Sequence, residues 1–118
     1  MINLNESNVK LHSTCESYEG TIYIACDYNI AKQVCRQFCL TGLCVSIQKT
    51  DYIYTMGEEN GVAVKIINYP RFPKSKDDIK TLCIRLTHAL IEMTHQGSAT
   101  IVLNDETLFY SRREQDFK

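Results

Sequence analysis

Ser75-Lys76-Asp77-Asp78-Ile79-Lys80-Thr81-Leu82-Cys83-Ile84-Arg85-Leu86-Thr87-His88-Ala89-Leu90-Ile91-Glu92-Met93 reads as helix from its first residue. Ser75 opens it, and Asp77 and Asp78 put carboxylates where the helix dipole is positive. Ile79, Leu82, Cys83, Leu86, Leu90 and Met93 make one apolar stripe of helical period. Gly97 is expected to stop the helix, so residues 76–96 would form a rod of about 31 Å. Downstream, Ala99 to Leu103 and Thr107 to Ser111 read as a hairpin across Asn104-Asp105-Glu106. Upstream, Pro70 and Pro73 bracket Arg71 and Phe72 in a stretch that neither helix nor central strand can occupy.

Further back, Leu43 to Thr55 is rich in Val, Ile, Tyr and Thr and reads as a strand, with a break near Asp51. Gly57-Glu58-Glu59-Asn60-Gly61 is expected to be the turn, Asn60-Gly61 supplying positive φ, and Val62 to Tyr69 the returning strand. Thr21 to Cys26 alternates weakly and reads as a strand. Asp27 or Asn29 can cap a first helix, whose stripe is Ala31, Val34, Cys35, Phe38 and Cys39 and whose end is Gly42. The order β-α-β-β-α-β-β is the split βαβ pattern with one strand added. It implies an α+β fold, a largely antiparallel sheet with two helices on one face. Residues 1–20 are expected to be an N-terminal arm and 21–118 a single domain.

The 118 residues, with 44% hydrophobic and 23% charged positions, suffice for one core. A net charge of −1 excludes a protein that coats duplex nucleic acid through bulk positive charge. No apolar run reaches the roughly 20 residues of a membrane span, and Met1 to Ser13 is not a signal peptide, so a cytosolic protein is expected. The cysteines stand at 15, 26, 35, 39, 44 and 83 with no C-x-x-C pair. Cys35 and Cys39 could ligate a metal at helical spacing, with His88 or His95. Both fall on an apolar stripe, however, which favours buried free thiols, and neither metal nor cofactor is expected.

Motifs for nucleophilic or metal hydrolysis are missing: there is no G-x-S-x-G, no phosphate loop and no H-E-x-x-H. The expectation is a chain that binds a ligand without catalysis. The loop Ile67-Asn68-Tyr69-Pro70-Arg71-Phe72-Pro73 is the best candidate to hold one. Its prolines limit the entropy lost on ordering. Arg71 offers a planar fork for phosphate, Phe72 a face for a base, and Asn68 a donor and an acceptor for a ring edge. The competing reading puts Phe72 in the core and leaves Arg71 a solvated charge. Ser111-Arg112-Arg113-Glu114 is a second cationic feature, although adjacent arginines on a continuing strand point to opposite faces. Tyr52 and Tyr54 share one strand face as a stacking platform or as cross-strand packing.

These residues together, Asp51-Tyr52-Ile53-Tyr54-Thr55-Met56-Gly57-Glu58-Glu59-Asn60-Gly61-Val62, the loop 67–73, Gln96-Gly97-Ser98 and Ser111-Arg112-Arg113-Glu114, resemble the type 1 Thoeris anti-defence proteins of phages. The resemblance spans about residues 20–114. It implies a protein that sequesters cyclic ADP-ribose isomers, and in some members cyclic trinucleotides, in the host bacterial cytoplasm without cleaving them. It also implies a homo-oligomer, a hexamer built from dimers, with ligand enclosed between protomers. The ligand-binding residues it implies are Asn68, Arg71, Phe72 and Tyr54, with Arg112 and Arg113 on the phosphates. The alternatives are a small phage protein that inhibits a host protein directly and a nucleotide-cleaving enzyme.

Overall fold

A computed structural model describes residues 3–118; the first two residues of the expected arm lie outside it. Seven elements follow in the expected order: β1 (Glu19–Ile24), α1 (Tyr28–Phe38), β2 (Ser46–Tyr54), β3 (Gly57–Ile67), α2 (Lys76–Thr94), β4 (Ser98–Leu103) and β5 (Thr107–Ser111). The five strands form one sheet in the order β2-β3-β1-β4-β5, every neighbouring pair antiparallel. Each helix carries the chain across the sheet between strands that are not neighbours, which is the split βαβ topology.

One face of the sheet is sealed by both helices. Ile22, Ile24, Val62, Val64, Ile66, Ala99 and Ile101 point to that side and are buried. Ala31, Val34 and Cys35 of α1 and Ile79, Cys83, Leu86 and Leu90 of α2 meet them. Asp27, not Asn29, caps α1, its carboxylate accepting the Ile30 N–H at 3.0 Å. Ser75 caps α2 by accepting the Asp78 N–H at 3.1 Å. Gly42 takes the left-handed conformation at φ 95° just after α1 and its short 3-10 extension.

α2 departs from the expected pattern at its end. The helix stops at Thr94, and His95 rather than Gly97 adopts the left-handed cap, with φ 58°. Its buried side is also wider than one stripe, because α2 packs against both the sheet and α1. Ile91 is only 7% exposed, while Met93 is 59% exposed. Thr87 and Thr94 are buried too, their hydroxyls donating back to the carbonyls of Cys83 and Leu90.

The hairpin β2–β3 departs further. Its turn is the two residues Thr55 and Met56, not 57–61, and Met56 rather than Asn60 takes the positive φ, at 69°. The ladder runs without a break from Ser46↔Lys65 to Tyr54↔Gly57. This register faces Val62, Val64 and Ile66 to the core; a turn at 57–61 would surrender the pairs that extend it. Gly61 serves close approach instead: a Cβ there would lie 2.4 Å from the Ile24 carbonyl oxygen.

All six cysteines are free. Burial pushes the Cys35 and Cys83 thiols up to about 11. Both stay protonated in the fold at pH values where the unfolded chain, near 9.0, would lose its protons. Stability is therefore expected to fall as pH rises from about 9 to about 11, read as a falling denaturant midpoint. At pH 8, alkylation followed by mass spectrometry should modify exposed Cys44 first, and Cys35 and Cys83 only on unfolding.

Candidate functional site

The residues singled out in the sequence divide among four places. Asn68 is buried, and its side chain is fully engaged within the chain. Its amide nitrogen donates to the Glu16 carbonyl at 2.9 Å, and its amide oxygen accepts the Lys74 N–H at 2.8 Å. Its backbone N–H also donates to the Tyr18 carbonyl. Asn68 therefore ties the segment before β1 to the loop before α2. Asn68→Ala is expected to cost about 2 kcal/mol, because two backbone groups lose their partners, and chemical denaturation checks this.

Arg71 and Phe72 lie in the turn that follows. The Phe72 N–H donates to the Tyr69 carbonyl at 2.9 Å, with Pro70 in the turn's first central position. The Tyr69 and Phe72 rings stack at 6.1 Å, and the Arg71 guanidinium lies over the Phe72 ring at 5.7 Å. Phe72 is 58% exposed, so it does not plug the core. With Leu43, Cys44, Ile67 and Lys74 these residues line a cleft of ≈ 370 Å³.

Arg112 and Arg113 diverge. Arg112 turns to the end of α2, where it donates to the Ile91 carbonyl at 2.8 Å and pairs with Glu92 at 3.6 Å. A cation there complements the negative pole of the helix. Arg113 instead lies over Gly97, donating to Ser98 Oγ at 3.0 Å and pairing with Asp116 at 3.1 Å.

Arg113 and Tyr54 share the second cleft, of ≈ 320 Å³, at the end of the sheet where β1 finishes and β4 begins. Tyr23, Tyr52, Tyr54, Glu59, Gln96, Ser98 and Thr100 also line it. Tyr23 and Tyr52 meet edge to face at 6.5 Å on the side of the sheet that the helices leave open. Tyr52 Oη donates to the Val62 carbonyl at 2.6 Å, and burial pushes this phenol up to about 12. Tyr54 Oη donates to Glu59 Oε1 at 2.9 Å, and that bond, first among the causes, raises the Tyr54 phenol above its ordinary value. Both phenols are therefore protonated donors at neutral pH. Glu59 is the one carboxylate and Arg113 the one guanidinium among the described residues that line this cleft.

The cleft thus offers aromatic faces, one anion, one cation and small polar groups at Ser98 and Gln96. It can hold a planar, partly charged molecule with its cationic part toward Glu59. The constellation expected from the sequence, Asn68, Arg71 and Phe72 with Arg112 and Arg113, does not form within one protomer. Glu59 went unrecognised because the turn assigned to 57–61 hid its place opposite Tyr52 in the ladder. Gln96-Gly97-Ser98 stood in the quoted segments without an assigned role, whereas Tyr52 was read there with Tyr54 as a stacking platform or cross-strand packing.

No known protein family matches the chain, and no curated protein matches it. Among solved structures it is similar to a phage SAM lyase in complex with S-methyl-5'-thioadenosine. That likeness has a TM-score of 0.61 and 17% sequence identity, over 88% of this chain and 96% of the lyase. A phage SAM lyase in its apo state matches with a TM-score of 0.60 and 18% identity, over 81% and 90% of the two chains. Both neighbours are phage proteins, as the resemblance implied for this chain, but neither is a Thoeris anti-defence protein. They are enzymes, and this corrects the expectation of a chain without catalysis. The absent motifs serve attack on acyl, phosphoryl and metal-bound centres. A lyase acting on a sulfonium needs none of them, because neutral thioether is already a good leaving group. Among the described residues no helix is long and apolar enough to cross a membrane.

Proposed function

We propose that this chain is a small lyase that binds a nucleoside bearing a sulfonium group, of the SAM type, and breaks a carbon–sulfur bond. The observation that carries the reading is the Tyr54–Glu59 pair set among aromatic faces at the end of the sheet. The likeness to the phage SAM lyase over nearly the whole of that chain supports the ligand class. A sulfonium is a soft cation, attracted both to ring faces and to a carboxylate. Tyr23, Tyr52 and Tyr54 supply the faces and Glu59 the carboxylate. When the bond breaks, its electron pair goes to sulfur and leaves S-methyl-5'-thioadenosine uncharged. The electron pair that replaces it at carbon comes from the substrate's own carboxylate, which closes a ring, so neither water nor an outside reactant is consumed. The chain's task is to fold the substrate for that closure and to exclude water.

A thermal shift tests the reading. S-methyl-5'-thioadenosine at a hundred times its Kd should stabilise the fold by about 2.7 kcal/mol, which raises Tm by roughly 10 °C. No shift with either SAM or S-methyl-5'-thioadenosine at millimolar concentration contradicts it. A second ligand class, the cyclic ADP-ribose isomers, is favoured by one observation: Arg71 and Lys74 border the cleft beside the stacked Tyr69 and Phe72 without a carboxylate among its lining residues. If that cleft holds such a nucleotide, Arg71→Ala should weaken binding by about one to two powers of ten, measured by calorimetry, with the fold unchanged.

A further inference from the structure

We infer that residues 7–12 form an exchanged strand that docks on the β5 edge of a second copy of this chain. Two independent features point to each other. The first is the segment before β1. Its backbone and polar hydrogen bonds over residues 3–12 are local, and the first side chain to hold the body is Ser13, whose hydroxyl donates to the Pro70 carbonyl at 3.2 Å. Val9 is 88% and Leu11 83% exposed, two apolar side chains two residues apart, as an extended strand presents them on a single face. The molecule measures 61 × 33 × 27 Å, and its radius of gyration of 17.1 Å exceeds the roughly 13–14 Å of a compact chain of this length.

The second feature is β5, which closes the sheet on one side. Thr107-Leu108-Phe109-Tyr110-Ser111 has no charge and no proline, the usual guards of an open edge. Among the described residues its only strand partner is β4, and no other backbone-to-backbone hydrogen bond reaches it. Phe109 is 59% exposed and Val102, diagonal to it across the ladder, 40%, both on the face opposite the helices. The other edge strand, β2, is guarded by Lys49 and Asp51. Six arm residues span about 20 Å and the five of β5 about 17 Å, so the lengths match. Val9 and Leu11 would extend the Phe109–Val102 surface, and the arm's free backbone groups would pair with the open edge.

The docking is between copies because of where the arm leaves. Residues 13–18 run past Asn68 and Pro70, beyond the end of β3, and β1 and β4 stand between that point and β5. An arm-and-edge contact is head to tail, each copy giving an arm and receiving one.

Light scattering at micromolar concentration tests this on the full chain, a variant lacking residues 1–12, the double variant Val9→Asp with Leu11→Asp, and Phe109→Lys. The full chain should exceed its 13.6 kDa protomer mass. Each variant should fall to the protomer mass with unchanged circular dichroism. A mixture of the shortened chain with Phe109→Lys should recover a dimer, since one supplies the edge and the other the arm. A full chain of protomer mass overturns the inference, as does an arm-deleted chain that keeps its assembly. Loss of assembly in Phe109→Lys alone would mean symmetric edge pairing, and loss on arm deletion alone would mean another receptor; either result overturns it. The readout is mass, so the outcome is separate from the proposed lyase activity.

Discussion

Glu59→Gln is expected to lower kcat/KM for SAM about a hundredfold while leaving the fold intact. The substitution keeps the size and planarity of the side chain and removes only its charge. In the cleft, Glu59 is the sole carboxylate among the described lining residues, so nothing replaces it opposite a sulfonium. In the lyase reading the bound substrate covers this carboxylate, and removing one preorganised electrostatic partner from a site so shielded typically costs 10²- to 10³-fold in rate. Stability should barely change, since Glu59 is exposed and its one side-chain bond, from Tyr54, is exposed too. Tyr54→Phe keeps the ring and removes the hydroxyl that orients Glu59, so a smaller loss, about tenfold, is expected. The two effects should not add in the double variant, because both act through the same carboxylate. In Glu59→Gln the Tyr54 phenol should also return toward its ordinary value, since the bond to Glu59 is what raises it. Steady-state kinetics and ultraviolet titration of the variants measure all of this.

Gly61→Ala is expected to be the most damaging single methyl in the chain. Its Cβ would stand 2.4 Å from the Ile24 carbonyl oxygen, 2.6 Å from the Tyr52 ring and 2.7 Å from the Ala25 Cα. Two of these three atoms belong to the backbone of the neighbouring strand and its continuation, which cannot move without opening the β1–β3 ladder. The cost should reach about 3 kcal/mol, near the upper end for overpacking, which lowers Tm by roughly 10–15 °C. Ligand binding should fall as well, because the Tyr52 ring is displaced from the wall of the cleft. Gly42→Ala makes the contrast: a Cβ there meets nothing within 4 Å, and only its φ of 95° resists, at about 1 kcal/mol. Denaturation curves for the two variants distinguish crowding from backbone strain.

What the sequence revealed of this molecule follows from how local each signal is. The helix caps Asp27 and Ser75, the terminator Gly42 and the element order all depend on a few adjacent residues, and all are present in the structure. The β2–β3 turn was misplaced because Gly57 and Asn60-Gly61 have turn chemistry, whereas Thr55-Met56 has none. The ladder overrides that preference by pairing nine residues in a register that faces Val62, Val64 and Ile66 inward. Gly61 is a glycine for want of space beside Ile24, a reason that no local pattern carries. The same misplacement concealed Glu59, while Tyr52 and Tyr54 were visible as a shared face. Asn68, read as a ligand contact, is a buried latch, because the segment that it holds, 16–18, lies some fifty residues away in the chain. Ile84 and Ile91, off the stripe that the sequence pattern picks out on α2, pack inside the molecule, Ile91 in the core and Ile84 partly buried against it.

Incubation of the purified full chain with SAM, followed by chromatography of the small molecules, bears on the lyase reading more directly than any variant. The expected result is loss of SAM over many turnovers, with one S-methyl-5'-thioadenosine formed for each SAM consumed and about a hundredfold slower formation by Glu59→Gln. SAM recovered unchanged after prolonged incubation with an equimolar amount of the protein would contradict it.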